Sequence, residues 1–172
     1  MSNANDPSER ITQWLRDAHA METEAETMLT AMAGRIENYP ELKQRIEQHI
    51  RETQGQSQRI EARLHALGSS TPTAKNMVAG MMASLHAVGQ STMSDEVLKG
   101  FGVSYAFEHM EIGAYRNLLF AAEALGDMET AQLCRDTLPE EQAMADWLLE
   151  HQHSLVRQFL ALDMTEGESA KR

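Results

Sequence analysis

The sequence predicts an all-α fold, an antiparallel four-helix bundle with a helical crossover between its second and third helices. Three observations predict it. Helix formers (Ala, Leu, Met, Glu, Gln and Arg) dominate, while aromatic residues make up 5% and β-branched residues are sparse. Apolar residues recur at alternating steps of four and three along four long stretches, the pattern of a left-handed bundle seam. A punctuated segment separates the second stretch from the third and is too long for a tight turn. At 172 residues and 42% hydrophobic, the chain suits one domain with a sizeable core.

The first helix is expected from about Pro7 to Gly34, with the stripe Ile11, Leu15, Ala18, Glu22, Ala25, Leu29 and Met32. The segment ENYPE, with Pro40, makes the turn. The second helix is expected from about Glu41 to Leu67, with Leu42, Ile46, His49, Thr53, Gln56 and Ile60 on one face and Leu64 and Leu67 at its end. The segment GSSTPTAKNMVAGMMASLHAVGQSTMS follows; Pro72 and Thr73 would open a short helix and Gly89 would end it. A crossover of that length favours ferritin-like topology over an up-down-up-down bundle with short loops. The third helix is expected from about Asp95 to Leu125, with Ser94 as N-cap and the stripe Phe101, Tyr105, Glu108, Ile112, Tyr115, Leu119 and Ala122. Gly126 closes it and Asp127 caps the fourth, whose stripe runs Ala131, Cys134, Leu138, Glu141, Ala145, Leu148, Gln152, Leu155, Phe159 and Leu162. Pro139 inside that pattern should kink or divide the helix. Residues 1–8 read as a flexible leader, 9–164 as the bundle and 165–172 as a flexible tail.

The formal net charge of −11, without a basic stripe, argues against nucleic-acid binding and against anionic membrane surfaces. No apolar run approaches the ~20 residues of a membrane span. The N-terminus lacks an apolar signal core, and the single cysteine, Cys134, cannot form an internal disulfide. These features favour a cytoplasmic protein. No Gly-rich serine turn is present, and Cys134 lies in a helix seam, so nucleophilic hydrolysis finds no support.

The chemistry lies where the seams are interrupted. Glu22, Glu108 and Glu141 fall in register in apolar stripes, and His49 does so on the second helix. An ionised carboxylate in a core is costly unless it is paired or binds a metal. Glu22 and Glu52 are 30 residues apart and centred on the first turn; Glu111 and Glu141 are also 30 apart and centred on the second. Each lies about 22 Å from its turn at the usual helical rise, so antiparallel hairpins bring them to one level. The hairpins also match at an offset of 89 residues, Glu22 onto Glu111 and Glu52 onto Glu141, a faint internal duplication. Dinuclear carboxylate sites in bundles draw on such a set. Glu22 and Glu111 would be terminal ligands, Glu52 and Glu141 bridging ones, His49 a nitrogen donor and Glu108 an additional donor. This oxygen-rich set suits iron or manganese. The bland alternative pairs each buried carboxylate with Arg51, Arg116 or a core tyrosine. Tyr105 or Tyr115 could bond a ligand carboxylate. His19 and His109 lie near the same level and are weaker candidates for the same site, and His65, His86, His151 and His153 have no such context. The twelve methionines fill irregular core space.

Four local patterns, LRDAHAMETE, HIRETQGQ, FEHMEIGAY and TLPEEQAMAD, resemble the ferritin-like YciE/YciF stress-protein family in residues, order and spacing. The resemblance covers roughly residues 10–160 and implies a bacterial source, a ferritin-like fold, homodimers and a dinuclear metal site at Glu22, His49, Glu52, Glu108, Glu111 and Glu141. Position 19 is His where the family tends to have Tyr. The second helix reads His-x-x-Glu, reversed from the Glu-x-x-His of well-studied di-iron proteins. Met144 stands where a second ligand histidine would sit. One imidazole instead of two argues against oxygen activation and leaves metal binding standing. Two expectations follow. One is a metal-binding stress protein with weak oxidase or peroxide-consuming activity; the other is a non-catalytic dimeric structural or stress protein whose glutamates are neutralised by protons, salt bridges or water. A mineral-storing cage is disfavoured, since the chain shows no ferritin assembly elements.

Overall fold

The computed structural model describes residues 7–71, 93–165 and 169–171. The expected crossover helix and most of the expected leader lie outside the described residues. Four helices account for nearly all of the rest: α1 (Pro7–Arg35), α2 (Pro40–Ala66), α3 (Glu96–Leu125) and α4 (Met128–Asp163). Among the described residues, no helix is long and apolar enough to cross a membrane.

The ends of the helices establish the topology. Arg35 at the end of α1 pairs with Glu96 at the start of α3 at 2.6 Å, and Gln158 near the end of α4 donates to the carbonyl of Asn38 at 2.7 Å. At the opposite end, Arg63 near the end of α2 binds Asp127 and Thr130 at the start of α4. Helix α1 packs on α2 and α3, and α4 packs on the same two. Every packed neighbour is therefore antiparallel and the diagonal pairs are parallel. The end of α2 and the start of α3 lie at opposite ends of the bundle, as in ferritin-like topology.

The helix ends differ in detail from the sequence expectation. Asp95, not Ser94, is the N-cap of α3, and its side chain makes no capping bond; its carboxylate instead pairs with Lys99 at 2.8 Å. The backbone N–H of Val97 donates to the carbonyl of Lys171, so the tail supplies the acceptor that a cap would have provided. Asp127 does cap α4, accepting from the backbone N–H of Thr130 at 3.0 Å. Gly126 precedes it at φ 73°, the left-handed conformation that closes a helix. Helix α4 is not divided at Pro139. That residue is exposed, where water can take the carbonyl freed by the missing N–H, while the buried face on either side holds the helix together.

The core consists of two apolar clusters with a polar layer between them. One contains Ile11, Leu15, Ala18, Ile60, Leu64, Tyr115, Leu118 and Cys134. The other contains Ala25, Leu29, Met32, Ile46, Phe101, Phe107, Met144 and Leu148. Glu22, His49, Thr53, Gln56, Glu108, Glu111 and Glu141 fall between them in sequence on their own helices, and all are buried.

Candidate metal centre

Each helix sends polar side chains into this layer because its apolar stripe continues on both sides. Glu22 sits between Ala18 and Ala25 on α1, and Glu141 between Cys134 and Met144 on α4. The flanking apolar residues lock the helix face, so the carboxylates cannot swing out to water without exposing the core. Glu22 and Glu141 are 0% exposed, and Glu108 and Glu111 are 1% exposed.

His49 ties the layer together. Its Nε2 lies 3.0 Å from Glu108 Oε2 and 3.6 Å from Glu141 Oε2. One donor atom from each of these three residues falls within 4.8 Å of the other two, a spacing compatible with a shared metal ion. Its other ring nitrogen, Nδ1, lies 2.8 Å from Glu52 Oε2. Glu52 is held in turn by Gln48 at 2.8 Å and Arg45 at 3.1 Å. A carboxylate behind an imidazole selects its tautomer and ring orientation, the usual support for a metal-ligating histidine. The Tyr115 hydroxyl donates to Glu22 Oε1.

Seven side-chain atoms in the layer are buried and lack a hydrogen bond of adequate geometry: Glu22 Oε2, His49 Nε2, Thr53 Oγ1, Gln56 Oε1, Glu108 Oε2, Glu111 Oε1 and Glu141 Oε2. Among the described residues, no Lys or Arg forms an ion pair with Glu22, Glu108, Glu111 or Glu141. His49 is the basic group that faces Glu108 and Glu141, and buried carboxylate oxygens without a Lys or Arg partner are the kind of donor that hard cations require. The His49, Glu108 and Glu141 group could hold a metal ion.

The ionisation of these groups follows from burial. Desolvation pushes the Glu22 carboxyl up to about 8, against the opposing hydrogen bond from Tyr115. It pushes Glu141 up to about 9, reinforced by Glu22, and it raises Glu111 together with the charges of Glu22, Glu141 and Glu108. Burial alone would depress His49, but the carboxylates of Glu108 and Glu52 prevail and raise it to about 10. Glu52 goes the other way, down to about 2, because hydrogen bonds from His49 and Gln48 and the charge of Arg45 outweigh its desolvation.

The structure brings Glu22, His49, Glu108, Glu111 and Glu141 into the buried layer and places Glu52 at its edge, 21% exposed, behind His49. Gln56, an ordinary seam residue by its spacing, is fully buried and donates to Glu141 Oε1. Its place in the seam, seven residues after His49, was the signal that could have marked it. His19 faces Glu61 at 2.9 Å, and His109 is exposed and packs edge-on to Tyr105, so neither joins the layer. Met144, at the position of the missing second histidine, is buried in an apolar cluster. Arg51 and Arg116 are exposed; of the bland partners for a buried carboxylate, only the tyrosine is realised, as Tyr115. Cys134 is buried, and burial pushes its thiol up to about 12, which leaves it unreactive.

A ferritin-like four-helix bundle with carboxylates and one imidazole in its middle layer defines the class of protein. Residues 6–161 match the family described as "Domain of unknown function (DUF892)". The Escherichia coli protein YciF is 31% identical over 133 residues, covering 75% of this chain and 80% of the relative. The chain belongs to this YciE/YciF family. A crystal structure of a Xanthomonas campestris protein is similar at 49% identity and a TM-score of 0.79, over 93% of this chain and 100% of that one. The crystal structure of the E. coli stress protein YciF superposes with a TM-score of 0.75 at 26% identity, over 89% of this chain and 98% of that one.

Proposed function

We propose that this chain is a bacterial stress-response protein that binds a pair of divalent metal ions, iron or manganese, in its buried polar layer. The observation that carries this reading is the buried His49, Glu108 and Glu141 group, whose ligand atoms lie within 4.8 Å of one another beside the buried carboxylates of Glu22 and Glu111. The stress assignment rests on the E. coli relative, which is named a stress protein. The cytoplasm and a homodimer belong to the same proposal.

Glu22, Glu108, Glu111 and Glu141 would hold the ions through oxygen and His49 through Nε2, while Glu52 keeps Nδ1 protonated and the ring aimed inward. A redox-active pair of this kind supplies electrons to dioxygen or peroxide when bound. The chain itself contributes a closed setting. The two apolar clusters exclude water from above and below, Tyr115 holds Glu22 in place, and the carboxyl protons leave as the ions enter.

Metal analysis of protein purified without chelator tests the proposal, followed by titration of the EDTA-treated protein with Mn(II), or with Fe(II) under anaerobic conditions. Two ions per chain and a higher melting temperature are expected. Absence of bound metal, with a melting temperature that does not respond to added ions, would leave a structural protein with protonated glutamates.

A further inference from the structure

Helix α2 contributes no carboxylate to the middle of the buried layer. Its core face there carries His49, Thr53 and Gln56; His49 Nε2 faces Glu108 at 3.0 Å, while Thr53 Oγ1 and Gln56 Oε1 are buried without a hydrogen-bond partner. Gln56 is the best defined of the three. It is 0% exposed, and its Nε2 lies against two carboxylates, Glu141 Oε1 and, at 3.1 Å, Glu140 Oε2. Glu140 is paired with Arg59 at 2.5 Å, and Arg59 also reaches Thr137 Oγ1 at 3.2 Å. A Glu140 carboxylate held by Arg59 accepts hydrogen bonds, so the end of the amide that faces it is the nitrogen. The oxygen is thereby left as the other end, buried with nothing donating to it. Leaving a buried amide oxygen unsatisfied is costly, and the structure has anchored this one in place.

We infer that Gln56 is a further metal ligand through Oε1, occupying the role that a second histidine would have played. This rests on the metal-binding reading above. It divides the centre into two unlike halves, one with the His49 nitrogen and one with oxygen donors only. The oxygen-only half favours Mn(II) or Fe(II) over softer ions.

The test compares wild type, Gln56→Leu and Gln56→Glu by calorimetric titration with Mn(II) after EDTA treatment, with far-UV circular dichroism as the check on folding. Wild type binds two ions per chain. Gln56→Leu keeps one and loses the other by about tenfold or more in affinity. Gln56→Glu keeps both, since its carboxylate oxygen can still ligate, and the second ion binds with a steeper pH dependence. If Gln56 serves only to donate its N–H to Glu141, Gln56→Glu removes that donor, adds repulsion and loses metal as Gln56→Leu does; that result overturns ligation. Two-ion binding by Gln56→Leu at wild-type affinity overturns it as well. Gln56→Glu preserves side-chain size and decides the question even where Gln56→Leu does not fold. A wild-type protein that binds neither Mn(II) nor Fe(II) removes the metal-binding reading itself, an outcome separate from a failure of the Gln56 variants.

Discussion

Glu22 and Glu141 hold their protons to about pH 8 and 9 because burial penalises the charged forms, and His49 holds its own to about 10 because carboxylates surround it. In the unfolded chain these groups titrate near their ordinary values, 4.5 and 6.5. The folded, metal-free protein therefore binds more protons than the unfolded chain between those limits, and its stability falls as pH rises through them. Calorimetry in EDTA should show a melting temperature that declines from about pH 5 to about pH 9; a rising one contradicts this protonation scheme. Metal binding must expel the same protons, so Mn(II) affinity should increase over that range. Glu141→Gln replaces a protonated acid with an amide of the same shape. It should change metal-free stability at neutral pH by less than about 1 kcal/mol and weaken metal binding about tenfold or more, which denaturation and titration would measure separately.

Among the helix ends, the start of α4 is the most heavily bonded. Asp127 accepts from the backbone N–H and the hydroxyl of Thr130 and pairs with Arg63 at 2.7 Å. Partial burial works against its charge, but these bonds prevail and hold its carboxyl below the usual range. Its contribution is present above the ordinary aspartate range and is lost as pH falls through the depressed value. Asp127→Ala removes the cap and leaves Arg63 without that partner; urea denaturation at neutral pH should register a loss of about 1–2 kcal/mol. The variant should lose less when compared with wild type in strong acid, where the carboxyl is already protonated.

At the far end of the bundle, the tail acts on the whole molecule. Tyr39, 1% exposed in the turn between α1 and α2, donates its hydroxyl to the carbonyl of Ala170 at 2.5 Å. Asn38 donates to Ser169, and Lys171 accepts from the N–H of Val97 and approaches Glu96 at 3.5 Å. The tail, read from its composition as flexible, thus contributes three residues that join the first turn to the start of α3. Removing residues 169–172 should destabilise the protein by about 1–3 kcal/mol, because a buried hydroxyl and a helix-end N–H lose their acceptors. In a Tyr39→Phe background the same truncation should cost less, and a double-mutant cycle by thermal melting reads the difference.

Much of the site was legible in the linear pattern. Glu22, Glu108 and Glu141 interrupt apolar stripes, His49 does so on α2, and equal distances from the turns place them at one height. The polarity of the helices was legible too, since a long connection lets the third helix start at the same end as the second and run parallel to it. Height along a helix is set by the fixed rise per residue, so counting residues suffices to find it. Direction around the helix is less forgiving, because each residue turns the side chain by about 100°. Glu52 is at the right height but lies about 80° from the centre of its seam by that rotation, so it sits behind His49 while Thr53 and Gln56 face the layer. Which amide end faces the carboxylates depends on Glu140 and Arg59, distant in sequence and adjacent only in the bundle. Apolar periodicity and residue counting suffice for the four-helix bundle and for the level of its polar centre. Which side chains meet at that level depends on how the four helices are rotated against one another by the packing of their apolar clusters, and that is set by contacts between residues distant in the chain.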